Sequence, residues 1–221
     1  MCADSSSNNQ SRRPLLRGYS HLLAAGVAIV GLIGLLVLAN SVEAAVAGII
    51  FAASLTLLYL TSGVYHAINW GRRMKALLQR LDHSMIFVLI AGTYTPFCLL
   101  VANSLWGVTV LTVIWSIAVA GIILKMVWPG APRWLSVGLY MTAGWLGVVA
   151  GLPMSDWFAL VPLVLLVLGG ILYSIGGVIY GLRRPDPFPH VFGYHEVFHV
   201  FVIAGSVLHY TLIAAYLMPA S

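Results

Sequence analysis

The stretch HSMIFVLIAGTYTPFCLLVANSLWGVTVLTVIWSIAVAGIIL, residues 83–124, contains no Asp, Glu, Lys or Arg. A transmembrane helix needs about 20 predominantly apolar residues, so a run of this length is too long for one helix. The segment ANSLWG at 102–107 contains the turn-forming residues Asn, Ser and Gly and divides the run. This stretch therefore predicts two consecutive membrane helices.

The composition of the whole chain indicates the same class of protein. Of its 221 residues, 61% are hydrophobic and only 8% are charged, against roughly 45–50% and about 25% in soluble domains. So few charges cannot keep the surface of a soluble globule hydrated. This excludes a soluble enzyme, a disordered chain and a nucleic-acid-binding domain, despite the net charge of +5. The two cysteines, Cys2 and Cys98, provide neither a disulfide framework nor a cysteine zinc ribbon.

The remaining charges mark the ends of further helices. Glu43 and Asp156 each divide a long apolar stretch into two spans, and no charge follows Glu196. We therefore predict an all-α fold, a seven-transmembrane helix bundle at 20–218 behind a polar, basic tail at 1–19. The predicted helices span about 20–40, 44–69, 82–101, 106–127, 134–152, 157–181 and 195–218.

The basic residues predict the orientation of this bundle. With seven spans, all 11 Lys and Arg residues fall in the N-terminal tail and in the second, fourth and sixth loops, which share one side. The positive-inside rule then predicts a multi-pass protein of the cell membrane with a cytoplasmic N-terminus and an external C-terminus. The segment SRRPLLR at 11–17 resembles a twin-arginine export signal. Because a full-length span and several more follow it, we interpret it as the basic flank of the first helix.

Three separate segments place polar side chains at one depth of the predicted bundle. Ser62 and His66 are four residues apart in SGVYH and share a face of the second helix near its cytoplasmic end. Asp82 opens the predicted third helix at the same membrane side. His195 and His199, in HEVFH, share a face in the first turns of the seventh helix. Ionisable groups within membrane spans are costly, so these residues are candidates for function.

The three histidines of this group match the ligand set of a catalytic zinc ion, which is three imidazoles with a fourth position left open. We therefore predict zinc bound by His66, His195 and His199. Asp82 would accept a proton from an activated water or orient it, and Ser62 would donate a hydrogen bond to a developing oxyanion. A simpler interpretation stays open, in which the paired histidines only hydrogen-bond to a neighbouring helix.

The other polar residues near the predicted spans are weaker candidates. His21 begins the first helix at the cytoplasmic end and is a reserve ligand. His83 directly follows the candidate carboxylate, so it points about 100° away from it on a helix. His209 lies too far along the seventh helix to reach the cluster and is expected to be a buried hydrogen-bonding residue. Glu196 is expected to point away towards the lipid headgroups.

Three motifs resemble those of the progestin and adiponectin receptor superfamily: SGVYH at 62–66, DHSMIF running into AGTYTP at 82–96, and GYHEVFH at 193–199. The short loops are most similar to its bacterial hemolysin III branch. The resemblance implies seven helices, a cytoplasmic N-terminus and a zinc ion on the three histidines predicted above, with Asp82 and Ser62 as further motif residues. Members usually carry Glu and Asn shortly before the first-helix histidine, whereas this chain reads PLLRGYSH at 14–21.

The resemblance extends to alkaline ceramidases, which share the Ser, Asp and three-His pattern. It implies a zinc-dependent hydrolase that cleaves an amide or ester bond of a membrane lipid and acts in lipid homeostasis. Two alternatives stay open: a non-catalytic membrane sensor with structural zinc, and a pore-forming cytolysin. The cytolysin is the least consistent, because a secreted pore former needs a soluble state. The expected partner is a membrane lipid, as substrate or ligand, and not a nucleic acid; a homo-oligomer also stays open.

Overall fold

A computed structural model describes residues 16–101, 104–151, 160–188 and 191–219, and these residues are almost entirely helical. Two short π-helical segments, Phe97–Val101 and Ile213–Leu217, continue the third and seventh helices. The described residues form no β-strand, only an isolated bridge between Phe188 and Phe192. The α-helices are α1 (Leu16–Leu38), α2 (Val42–Ala67), α3 (Arg72–Pro96), α4 (Leu105–Val127), α5 (Arg133–Gly151), α6 (Leu160–Leu182) and α7 (Tyr194–Leu212).

Six of these helices, all except α5, are long and apolar enough to cross a membrane. Large aliphatic side chains cover their outer faces: Leu23 is 72% exposed, Val37 79% and Leu105 84%. Apolar surface on this scale fits contact with lipid rather than water. The predicted all-helical, multi-pass membrane protein is therefore confirmed. In α5, Gly, Ser, Thr, Trp and Tyr interrupt the apolar residues, and the count of seven spans stays a prediction.

Helix boundaries in the first half of the chain follow local chemistry. Ser41 precedes α2, and its hydroxyl oxygen accepts a 3.1 Å hydrogen bond from the backbone N–H of Ala44. This cap satisfies one of the free donors at the helix start, and Glu43 in the first turn complements the positive end of the helix dipole. The predicted break at 102–107 lies partly outside the described residues, which end at Val101 and resume at Ser104, just before α4 begins at Leu105.

Most helices begin within two residues of the prediction, but two begin clearly earlier. The first starts at Leu16 rather than 20, and the third starts at Arg72 rather than 82. Asp82 therefore does not open α3 but lies about three turns into it. We predicted helix bounds at charged residues. A charged residue limits only the part of a helix that lies in the membrane, and the helix itself can continue beyond it. The segment RRMKALLQRL at 72–81 consists of good helix formers, so the helix continues out of the apolar region.

The packing order of the helices positions the candidate site. Helix α2 packs between α1 and α3, while α7 packs against α6 and α1. At Gly18, α1 approaches α2 so closely that an added Cβ would lie 2.5 Å from the backbone nitrogen of Ala67. This contact is one residue beyond His66. The end of α2 and the starts of α1 and α7 therefore meet at one end of the bundle.

Candidate metal centre

The three histidines predicted as ligands lie together where α2 and α7 meet. The Nε2 atoms of His66 and His195 are 3.2 Å apart. The ring centroids of His195 and His199 are 4.6 Å apart, and those of His66 and His199 are 5.5 Å apart. One nitrogen atom from each ring lies within 4.8 Å of the other two. The i, i+4 spacing on α7 and the last turn of α2 thus bring three imidazoles to one point.

The geometry of this cluster fits a transition metal. Tetrahedral zinc with Zn–N bonds of about 2.0–2.1 Å separates its ligand nitrogens by about 3.3 Å, close to the His66–His195 distance. His199 is buried, and its Nδ1 has no hydrogen-bond partner among the described residues. Buried polar atoms without partners are rare in native proteins and call for an explanation such as an ion. Imidazole also suits copper, iron and nickel, so the ligand set alone does not identify the metal.

His21, the reserve ligand, packs against this cluster rather than joining it. Its ring stacks on that of His199 with centroids 3.6 Å apart and an interplanar angle of 11°, and Tyr59 lies edge-on at 5.1 Å. Stacked rings present their faces to each other, whereas a metal ligand must point a nitrogen lone pair at the ion. Both His21 ring nitrogens are buried without a hydrogen-bond partner in the described part of the chain. His21 therefore supports the position of the His199 ring.

Asp82 lies on α3, near a residue of α2. The buried hydroxyl of Ser62 is close enough to act on its carboxylate. Both residues line the same cavity as His195 and His199. The predicted role of Ser62 as a hydrogen-bond donor to an oxyanion stays a prediction.

A cavity of about 420 Å³ opens beside the histidines and runs between α3, α5, α6 and α7. Its wall near the centre combines a few polar groups with many apolar side chains. Ligand cavities are usually built in this way, with apolar walls and few oriented polar groups. The apolar lining includes Leu58, Ile86, Leu89, Ile90, Met141 and Val202.

Glu196 does not point towards the headgroups, and that prediction is wrong. The side chain is 2% exposed, and its Oε1 accepts a 2.6 Å charged hydrogen bond from Nε of Arg17. Its Oε2 accepts a 2.8 Å hydrogen bond from the backbone N–H of Gly193. A carboxylate in the first turn is attracted to the free N–H groups and positive dipole of the helix start. The position of Glu196 in the first turn of α7 is the feature of the sequence from which its inward orientation could have been predicted.

Two further histidines lie in the described part of the chain, His83 and His209, whereas His190 lies outside the described residues. Nε2 of His209 lies 3.2 Å from the carbonyl oxygen of Leu166, which confirms its prediction as a buried hydrogen-bonding residue. His83 does not belong to the three-histidine group, and its Nε2 lies 3.3 Å from the hydroxyl of Tyr180. Tyr180 in turn packs on His195, with ring centroids 5.7 Å apart. Sequence analysis did not single out Tyr180, because tyrosines are common near span ends.

The helices and the cluster together define a multi-pass helical membrane protein with three histidines gathered where α2 and α7 meet. Residues 9–210 match the family described as haemolysin-III related, and the chain belongs to that family. This confirms the resemblance to the progestin and adiponectin receptor superfamily and to its hemolysin III branch.

Three curated relatives illustrate the range of this family. The chain is 38% identical over 167 residues to the Hemolysin-3 homolog of Bacillus subtilis (strain 168), covering 76% of this chain and 75% of the relative. It is 34% identical over 213 residues to Hemolysin-3 of Bacillus cereus, covering 95% and 94%. It is 30% identical over 162 residues to the Adiponectin receptor protein of Drosophila melanogaster, covering 66% of this chain but 35% of that longer protein.

Proposed function

We propose that this protein is a zinc-dependent hydrolase that cleaves an amide or ester bond of a membrane lipid. The observation that carries the proposal is the position of the three-histidine cluster. The cluster borders a largely apolar cavity of about 420 Å³ that the carboxylate of Asp82 also lines. Such a cavity suits an acyl chain, and the polar groups at its histidine end suit the bond to be cleaved.

His66, His195 and His199 would hold the metal. Zinc in such a site supplies a Lewis acid for a carbonyl oxygen and makes water more acidic. Asp82 takes a proton from the attacking water, whose oxygen bonds to the acyl carbon. The acyl C–N or C–O bond then breaks, and Asp82 returns the proton to the leaving nitrogen or oxygen. Ser62, whose hydroxyl is close enough to act on the Asp82 carboxylate, would orient it.

The decisive experiment replaces the proposed proton acceptor. Asp82→Asn keeps the shape of the side chain but cannot accept the proton, so turnover should fall by about 10²–10⁴-fold while zinc stays bound. The assay is release of free fatty acid from N-acyl and O-acyl lipids in liposomes, with metal content measured on the same samples. Glu43→Gln is the matched control, because Glu43 is an exposed acid in the first turn of α2 and does not line the cavity.

A non-catalytic sensor with structural zinc is the second candidate. It is favoured by the way the centre joins separate helices, since α2 and α7 supply the histidines and the Arg17–Glu196 ion pair ties α1 to α7. A metal here would clamp these helices. If wild type and Asp82→Asn both hold zinc and neither releases fatty acid from any lipid, the sensor replaces the hydrolase.

A further inference from the structure

A buried lysine outside the three-histidine cluster lines the same cavity. Lys125, in the last turn of α4, is only 5% exposed. Its Nζ donates a hydrogen bond to the hydroxyl oxygen of Ser136 and lies 5.7 Å from the centre of the Tyr140 ring. All three residues line the cavity. A full positive charge therefore faces the cavity rather than the headgroup layer outside the bundle.

This charge has no anionic partner in the part of the chain that the structure describes. The ion pair found there, Arg17–Glu196, belongs to the other side of the site. A hydroxyl and an aromatic face are neutral, and the carboxyl end of α4 offers only about half an elementary charge. Lysines near helix ends usually extend their amines to water or headgroups. A lysine buried without a carboxylate is costly unless an anion from outside completes the pair.

Two arginines continue this positive surface to the entrance of the cavity. Arg133 is half-buried; its guanidinium carbon lies 4.9 Å from the centre of the Tyr180 ring. Arg183 is exposed and follows α6, with the left-handed φ of 57°. Both line the cavity. The three cations thus lie at three depths, from the exposed Arg183 to the buried Lys125.

One layer of side chains separates these three cations from the histidine cluster. Lys125 and Arg133 are both close enough to His83 to act on it electrostatically. His83 contacts the hydroxyl of Tyr180, whose ring packs on His195. A single bound molecule can therefore touch both regions. Since the cavity also has an apolar wall, that molecule combines an oxyanion with a hydrocarbon chain.

We propose that Lys125, Arg133 and Arg183 bind the phosphate of a lipid headgroup, so that the lipid taken by this site is an acyl lipid phosphate rather than a neutral lipid. Arginine and lysine are the side chains suited to phosphate, through charged hydrogen bonds. The role of this lipid as substrate rests on the proposed hydrolase. Its binding does not, because binding requires no turnover.

The test compares three probes on the purified full-length protein in a non-ionic detergent: a monoacylglycerol phosphate, the monoacylglycerol with the same chain, and inorganic phosphate. Wild type should bind the lipid phosphate about tenfold or more tightly than either of the other two in titration calorimetry. Lys125→Gln should remove this preference, and Lys125→Arg should keep it. Arg73→Gln is the control, because it removes an equal charge from an exposed position of α3 outside the cavity.

Equal wild-type affinity for the phosphate lipid and the neutral lipid would overturn the inference. So would equal loss in Lys125→Gln and Arg73→Gln. Inorganic phosphate binding as tightly as the lipid phosphate would identify a free anion as the ligand and overturn the lipid assignment. If Lys125→Gln does not fold, Arg133→Gln must weaken lipid phosphate binding without affecting the neutral lipid. If the protein still prefers the lipid phosphate but releases fatty acid from no lipid, the proposed hydrolase fails while this binding site stands.

Discussion

At the scale of single residues, one charged contact joins two helix starts beside the cluster. Arg17 of α1 forms a 2.6 Å charged hydrogen bond with Glu196 of α7. The pair joins the starts of α1 and α7, one turn before His21 and one turn before the second α7 histidine. Its two members are 179 residues apart in sequence, so no local pattern could predict the contact.

The three-histidine cluster, in contrast, could be predicted, because two of its members follow from a local rule. The i, i+4 spacing places His195 and His199 on one face of any helix. His66 required the further step of counting spans, which placed it at the same depth. The position of His21 could not be predicted from depth alone, since ring stacking on His199 depends on how α1 and α7 rotate against each other.

The residue-scale prediction concerns metal binding. One zinc ion should copurify with each wild-type chain, and His195→Ala and His199→Ala should each lose most of it, because two imidazoles bind zinc far more weakly than three. His209→Ala is the control, since His209 is a buried histidine of the same helix that bonds to Leu166 instead. Metal content is measured by elemental analysis of purified protein. Full zinc retention in both ligand variants would contradict the assignment.

At the scale of elements, the close contact of α1 with α2 sets the spacing around the histidines. Sequence analysis located both helices, but it could not identify which of the many glycines lies at a contact. The structure separates them: an added Cβ at Gly18 would meet the backbone of Ala67, whereas at Gly26 it would meet nothing within 4 Å. Small residues at such crossings allow membrane helices to approach closely.

Gly18→Ala should therefore force α1 away from the end of α2, next to His66. Overpacking of this kind costs about 1–3 kcal/mol of folding free energy, and we also expect weaker zinc retention. Gly26→Ala is the same change in the same helix at an open position, and it should be neutral. Thermal unfolding in detergent and zinc content measure both effects. Equal behaviour of the two variants would mean that the α1–α2 contact does not support the centre.

At the scale of the whole molecule, two contacts bear on how often the chain crosses the membrane. His66 ends α2 and His195 begins α7, and their Nε2 atoms are 3.2 Å apart. Arg17 at the start of α1 likewise contacts Glu196 at the start of α7. Two chain positions at the same membrane side are separated by an even number of crossings. Four helices, α3 to α6, lie between His66 and His195. If α5 did not cross, the other three would give an odd number of crossings.

These contacts require an even number of crossings between His66 and His195, and they therefore support α5 as a seventh span. They do so although α5 is not among the six helices that are long and apolar enough to cross a membrane. If α5 stayed on the cytoplasmic side, α6 would carry Arg183 and Arg184 outward, against the positive-inside rule. It would also place the two α7 histidines on the side opposite His66. The first consequence disagrees with the positive-inside rule and the second with the observed cluster, so α5 is better explained as a span.

We therefore predict that the two ends of the chain lie on opposite sides of the membrane. Reporter fusions at Ser5 and Ser221 should report a cytoplasmic and an external position, respectively. A third reporter at Ser41, between α1 and α2, should agree with the external one and serves as the internal reference. Ser5 and Ser221 on the same side would show an even number of spans. If the six helices that are long and apolar enough do cross, α5 would then not cross, and the contact between His66 and His195 would have to be abandoned together with the metal centre.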